Sequence, residues 1–229
     1  MRHNRIFLLF LLPILLFGCQ SACAESKVEN GGFFEEVSFL GDSITAHMPA
    51  RAGIDKSRVW ATKERYLNLD SRITYARILA PDTGEEERIA EVAARLQPRY
   101  LVVTLGIDYG VYYYRNDLAT FEKYYEKLLD SIAESSPDTI IIPQSIFPVT
   151  KACVSITNEM IDNANTRIRE IAARRSLPYL DTQSVLRDEE GYLRASYCYS
   201  EDGIHLSEQG YRSVLSYIEQ FARNRGWCA

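Results

Sequence analysis

A serine set directly behind an apolar run is the first residue of this chain that could do chemistry. Val37-Ser38-Phe39-Leu40 reads as a strand, and Gly41-Asp42-Ser43-Ile44-Thr45 breaks it where a helix could begin. A serine hydroxyl is a poor nucleophile at neutral pH. It needs an imidazole within about 3 Å to take its proton, and the imidazole needs an acid to fix its tautomer. Near the other end stands Asp202-Gly203-Ile204-His205-Leu206, an acid and an imidazole three residues apart, a spacing that fits one tight turn. Of the three histidines, His3 falls in an apolar leader and His47 follows Ser43 by four residues, so His205 is the expected base. Ser43, His205 and Asp202 thus outline a Ser-His-Asp hydrolase, with His47 a candidate substrate contact.

Residues so far apart in sequence require a fold that brings both chain ends to one rim. Short β-branched runs at 37–40, 100–105, 139–143 and 177–180 alternate with segments at 85–96, 118–134, 157–176 and 207–224, where apolar residues recur at helical spacing. Phe121, Tyr125, Leu128, Leu129 and Ile132 make one such stripe, and Ser207 is placed to cap the last helix. Unbroken apolar runs suit strands buried on both faces. The alternation predicts an α/β fold, a three-layer α/β/α sandwich with a mostly parallel five-stranded sheet. The second strand is expected at Tyr66-Leu67-Asn68-Leu69, with Val59-Trp60-Ala61-Thr62 as its rival. In an open parallel sheet, sites form beyond the carboxyl ends of strands. Ser43, the loop after Leu105 and the segment from Gln144 to Val149 should therefore converge.

The chain has 229 residues, 46% of them apolar and 25% charged, which suits one soluble domain able to bury a core without metals. Arg2 and Arg5 precede an apolar run at 6–17, the shape of a secretory signal. Leu16-Phe17-Gly18-Cys19 resembles a bacterial lipobox, which would lipidate Cys19, while Ala22-Cys23-Ala24 offers a competing cut that releases the protein unlipidated. The expected organisation is a signal at 1–18, a polar tether at 19–36 and a domain at 37–229, in a monomer exported to the cell surface or periplasm. A net charge of −5, which deepens once Arg2 and Arg5 are removed, argues against nucleic acid or anionic lipid as partner. Membrane contact is expected only through the lipid anchor. An oxidising destination makes Cys153 and Cys198 the preferred disulfide, bracing the loop four residues before Asp202. A Cys198–Cys228 bridge and three unbridged thiols remain open, because spacing does not fix connectivity. No two close Cys or His pairs occur, so neither a metal nor a cofactor is expected.

In Gly41-Asp42-Ser43-Ile44 and Asp202-Gly203-Ile204-His205-Leu206 the chain resembles the SGNH or GDSL-type esterases and acylhydrolases. The resemblance spans the domain in element order and rests on these two end blocks. It implies that Ser43 is the nucleophile, His205 the general base and then acid, and Asp202 the orienting carboxylate, with an acyl-enzyme resolved by water. It also implies oxyanion donors from the serine amide, a glycine after the second strand, and the asparagine of a Gly-x-Asn block. That block corresponds to Gly106-Ile107-Asp108, where aspartate stands in place of asparagine. An ionised carboxylate cannot donate a hydrogen bond and repels an oxyanion, and losing one donor costs about 10²–10³ in rate. Asn68 is a candidate replacement donor. Tyr109, Tyr112, Tyr113 and Tyr114 follow Asp108 and could form a platform for a sugar ring. The leading expectation is an exported esterase that removes a small acyl group from an acyl ester or acylated glycan. A catalytically weak glycan-binding module and an acyltransferase to a sugar are its rivals.

Overall fold

The computed structural model describes residues 32–107, 109–199 and 201–228. The expected signal at 1–18, Cys19, most of the tether, and Asp108 lie outside the described residues. The described chain opens with α1 (Phe33–Glu36), β1 (Val37–Gly41), α2 (Ser43–Ala46), α3 (Met48–Arg51) and β2 (Val59–Trp60). It continues through β3 (Arg77–Leu79), β4 (Glu86–Arg88), α4 (Ile89–Leu96), β5 (Tyr100–Thr104), α5 (Leu118–Ser135) and β6 (Ile140–Pro143). It closes with α6 (Asn158–Arg174), α7 (Gln183–Leu186) and α8 (Glu208–Asn224).

The central sheet is parallel, in the order β2-β1-β5-β6. It has four strands, not the five expected from sequence. The run at 177–180 contributes one parallel bridge, Gln144 with Leu180, sealed by Leu180 N–H to Pro143 O (3.0 Å) and Ser145 N–H to Leu180 O (2.9 Å). Pro178 has no amide to extend the ladder. The rival second strand is the real one: Val59 and Trp60 pair with Phe39 and Leu40, and Trp60 is fully buried. Residues 66–69 instead run beside the loop after β5, where Asn68 bridges Tyr109. A short antiparallel ribbon, β3 with β4, replaces the first turn of the helix expected at 85–96.

Strands β1 and β5 are buried at every position, as the unbroken apolar runs require. α4, α5 and α6 pack side by side, and α8 packs with α7 and α3, so the sheet lies between two helical layers. The stripe Phe121, Tyr125, Leu128, Leu129 and Ile132 is buried, and so are Tyr211, Val214, Leu215 and Ile218 of α8. Asp117, Thr157 and Ser207 cap α5, α6 and α8 by accepting from amides three residues on, which satisfies donors left open at a helix start. The folded chain is already in place at Phe33, ahead of the boundary expected at 37. Phe33 and Phe34 are buried, and Phe33 packs on Tyr100 (5.0 Å between ring centroids) and Trp227 (6.2 Å). Two adjacent phenylalanines in a polar stretch gain more from the core than from water.

Gly41 ends β1 directly opposite Thr104. A Cβ at this position would fall on the Thr104 carbonyl oxygen and the Thr45 hydroxyl, well inside van der Waals contact. Gly41→Ala is therefore expected to destabilise the fold by about 1–3 kcal/mol or more, the range for overpacking a tight interior. A lowered urea midpoint at unchanged slope is the measurement, and an unshifted midpoint would mean that the two strand ends separate freely.

Candidate active site

Ser43 opens α2 immediately after β1, so its side chain stands at the carboxyl edge of the sheet, half-buried. His205 Nε2 lies 3.0 Å from Ser43 Oγ, and His205 Nδ1 lies 2.7 Å from Asp202 Oδ2. The carboxylate also builds its own turn. Asp202 Oδ1 accepts from the amides of Ile204 (2.7 Å) and His205 (3.2 Å), so one side chain sets both the loop and the ring. Gly203 makes that turn possible with φ +74°, a left-handed conformation open to glycine at little steric cost. With Nδ1–H donated to Asp202, the lone pair of Nε2 faces the serine hydroxyl.

The His205 loop is tied down on several sides. Residues 197–199 run against 205–207, joined by Tyr199 N–H to His205 O (2.7 Å), Ser207 N–H to Tyr197 O (2.8 Å) and a bridge between Cys198 and Leu206. Thr150 N–H donates to Gly203 O (2.9 Å). On the serine side, Arg51 of α3 donates to Leu206 O (3.4 Å), and its guanidinium sits 3.5 Å above the centre of the Tyr199 ring. The Tyr211 hydroxyl of α8 donates to Ile44 O (2.6 Å) in α2. Arg51, Tyr199 and Tyr211 carried no sequence signal of this role, because an arginine and two tyrosines outside any motif look like surface and core residues.

The segment at 144–149 is buried throughout and acts as a strap rather than an open wall. Asn165 clasps Ile146 through N–H to Oδ1 (2.7 Å) and Nδ2 to O (2.9 Å), and Asn158 does the same for Val149 (2.9 Å each way). Gln144 Nε2 donates to the Thr182 hydroxyl (3.0 Å) while its Oε1 accepts from Thr104. The Gln144 side chain and the backbone of Ile146 and Val149 are thereby satisfied within the fold.

Opposite the strap, the Asp42 carboxylate is buried, and its Oδ2 accepts from the amides of Gly106 and Ile107 (3.2 Å each). The Gly106 amide thus faces Asp42. Asn68 is half-buried, its Oδ1 has no hydrogen-bond partner among the described residues, and its backbone rather than its side chain marks the site by pairing with Tyr109. The disulfide expected between Cys153 and Cys198 is not formed: Cys153 is a thiol whose sulfur turns toward the Ser155 hydroxyl 3.9 Å away, and Cys228 is also a thiol. Cys153 sits on the turn against Gly203, while Cys198 is bridged to Leu206. Among the described residues no group of three His, Cys, Asp or Glu could hold a metal, and no helix is long and apolar enough to cross a membrane.

His47 sits edge-on to His205, with ring centroids 5.0 Å apart, and its Nδ1 lies 3.5 Å from an Arg51 guanidinium nitrogen. Burial first, then the charges of Arg51, His205 and Arg65, push its pKa down to about 4, against a weaker upward pull from Asp202. The ring beside the base is therefore neutral at neutral pH, and it packs against His205 without adding charge.

Residues 39–213 match the model of the GDSL-like Lipase/Acylhydrolase family. No curated protein matches the chain. Solved structures share the fold at low identity. One from Streptococcus pneumonia, whose description names a platelet activating factor, has a TM-score of 0.58 at 20% identity over 81% of this chain and 83% of its own. A GDSL-like lipase from Bacteroides thetaiotaomicron has a TM-score of 0.52 at 19% identity, covering 84% of this chain and 89% of its own. A carbohydrate esterase of family 3 from Talaromyces cellulolyticus has a TM-score of 0.51 at 15% identity, covering 80% and 94%.

The depressed His47 pKa has a consequence for stability. The folded ring stays neutral down to about pH 4, whereas in the unfolded chain it protonates near 6.5. Between those values the unfolded state binds more protons, so stability present above about pH 6.5 is lost as the pH falls toward 4. His47→Gln keeps an acceptor for Arg51 and removes the titration. Calorimetry from pH 7 to 4.5 should show a smaller fall in Tm for His47→Gln than for the unmodified protein, and equal falls would contradict the assignment.

Proposed function

The chain belongs to the GDSL-like lipase/acylhydrolase family, and from that premise we propose that it is a serine-dependent ester hydrolase that removes a small acyl group, with an acylated glycan as its substrate class. The observation that carries this reading is the unbroken path from Ser43 Oγ through the His205 ring to Asp202, at 3.0 and 2.7 Å. Ser43 Oγ attacks the ester carbonyl carbon while its proton passes to His205 Nε2, and Asp202 holds the imidazolium through Nδ1–H. Collapse of the tetrahedral adduct expels the alcohol oxygen, which takes the proton back from Nε2 and leaves an acyl-Ser43. Water then attacks the acyl-enzyme, gives a proton to the same nitrogen and releases the carboxylic acid, restoring the serine.

Among the described residues, the clefts of about 540, 500 and 490 Å³ are lined by neither Ser43 nor His205, and the size of the acyl group is read from the family resemblance. The fold shared with a carbohydrate esterase makes an acetylated saccharide the first substrate to try. Export and lipidation at Cys19 complete the proposal, placing the enzyme where such glycans occur. Incorporation of labelled fatty acid, abolished by Cys19→Ser, is the expected result.

Hydrolysis of p-nitrophenyl acetate and labelling by a fluorophosphonate test the chemistry. Ser43→Ala and His205→Ala should each lower kcat by about 10⁴-fold or more, and Ser43→Ala should abolish labelling. Asp202→Asn should cost less, about 10²–10³, because its side chain is 40% exposed and water partly replaces it. Asp108→Asn, which restores the asparagine that the family resemblance implies at this position, should raise kcat by about tenfold or more. Unchanged turnover in Ser43→Ala would refute the whole assignment.

A further inference from the structure

We infer that Tyr66, Tyr109 and Tyr113, with the cleft beside Tyr66, form a subsite that binds the sugar rings of a pyranose oligosaccharide. This deepens the proposed function and rests on it. The three rings are exposed, at 47%, 39% and 60%. They are also in sequence of contact: Tyr66 to Tyr109 is 6.0 Å between centroids, and Tyr109 to Tyr113 is 5.3 Å with the planes only 16° apart. Tyr112 braces the far end edge-on to Tyr113 at 5.9 Å, and Arg115 lies 4.3 Å over the Tyr112 ring. Tyr114 is set apart from this array, turned inward against Tyr124 at 5.9 Å.

Exposed aromatic surface has a cost in water, and here the backbone holds it in place. Tyr66 is fixed by a turn in which its amide donates to the Thr62 hydroxyl (3.0 Å) and that hydroxyl donates back to Tyr66 O (2.6 Å). Arg65 takes a left-handed φ of +65° to complete it, a conformation uncommon for a residue with a side chain. Tyr109 is held by Leu69 N–H to its carbonyl (3.1 Å) and by the backbone bridge to Asn68. Loops held this firmly present their rings at little further entropic cost on binding.

Tyr109 comes two residues after Ile107, and the Gly106 and Ile107 amides are gripped by Asp42, which precedes Ser43. Tyr66 follows Arg65, whose charge is felt by His47 beside His205.

The chemistry selects the ligand. The electron-rich face of a tyrosine accepts the C–H-lined face of a pyranose ring, and its hydroxyl hydrogen-bonds with sugar hydroxyls. The adjoining cleft of about 500 Å³ is lined by Thr62, Glu64, Tyr66, Asn68, Asp70 and Arg72 among others, a mixture of acceptors and donors suited to a polyhydroxylated chain.

The test separates sugar binding from ester chemistry. Ser43→Ala, which leaves the tyrosines intact, is titrated with acetylated xylo-oligosaccharide, with chitohexaose and with a proline-rich peptide, following tyrosine fluorescence and calorimetry. Saccharide binding is expected, weakened at least tenfold by adding Tyr113→Ala or Tyr66→Ala. In the active enzyme, the same tyrosine substitutions should raise KM for the acetylated saccharide about tenfold while p-nitrophenyl acetate turnover stays within about twofold. Tyr113→Phe, which keeps the ring, should restore most of the affinity. Absence of saccharide binding, binding of the peptide alone, or equal effects on both esters would overturn the subsite. Loss of p-nitrophenyl acetate turnover in Ser43→Ala tests the hydrolase reading separately.

Discussion

The site depends on how closely two parallel strands end. Gly41 of β1 and Thr104 of β5 are opposed in register, and only a residue without a Cβ lets the backbones stay that near. Past this point the chains part, and Asp42 turns its carboxylate under the loop that follows β5, where it takes two amides. A buried carboxylate is costly unless hydrogen bonds offset its lost hydration, and charge-assisted bonds from backbone amides do so efficiently. Beyond these two amides, Val111 N–H donates back to Gly106 O (2.8 Å). One glycine and one aspartate of the first motif thus set where Ser43 and the facing loop stand.

The other half of the site arrives from the far end of the chain and is held by contacts from separate elements. Thr150 grips Gly203 from the buried strap, Arg51 grips Leu206 and Tyr199 from the serine side, and Ser207 caps the helix that follows. Loops are usually the mobile parts of a fold, and a general base displaced by 1 Å loses much of its effect. Here the loop is short, closed across its base and fastened to two layers. The strap earns its burial in the same way: Asn165 and Asn158 pair with its backbone on both donor and acceptor, which a sheet would otherwise do.

How much of this was legible in the sequence follows from the range of each interaction. That Ser43, Asp202 and His205 come together was legible because both motifs are local and their residue types suit one another. The long amphipathic helices were readable to within a few residues, since a stripe such as Phe121 to Ile132 repeats a periodic signal many times. The second strand was not, because a two-residue edge strand leaves no periodic trace, and Val59-Trp60 competed with a second short apolar run. Residues 177–180 look like a strand by composition, yet only Leu180 joins the ladder. The Cys153 expectation assumed that a shared loop brings sulfurs together, whereas Cys153 turns to its own Ser155. Arg51 and Tyr211 act through tertiary contacts alone, with no local pattern to betray them.

Two aspartates in the site show how environment divides roles among identical side chains. Asp42 is almost wholly buried and accepts from backbone amides, so its carboxylate is spent on holding the loop after β5. The Asp202 side chain is 40% exposed, so water screens its charge and weakens any purely electrostatic help to the imidazole. What remains strong is geometry. Two backbone amides hold one carboxylate oxygen while the other receives Nδ1–H, so the ring cannot rotate without breaking the turn that carries it. In the proposed triad Asp202 would thus serve mainly by fixing tautomer and direction, and the neutral His47 ring packs edge-on to His205. An aspartate that orients, rather than one that supplies a field, suits a loop facing solvent, where charge is cheaply screened and direction is not.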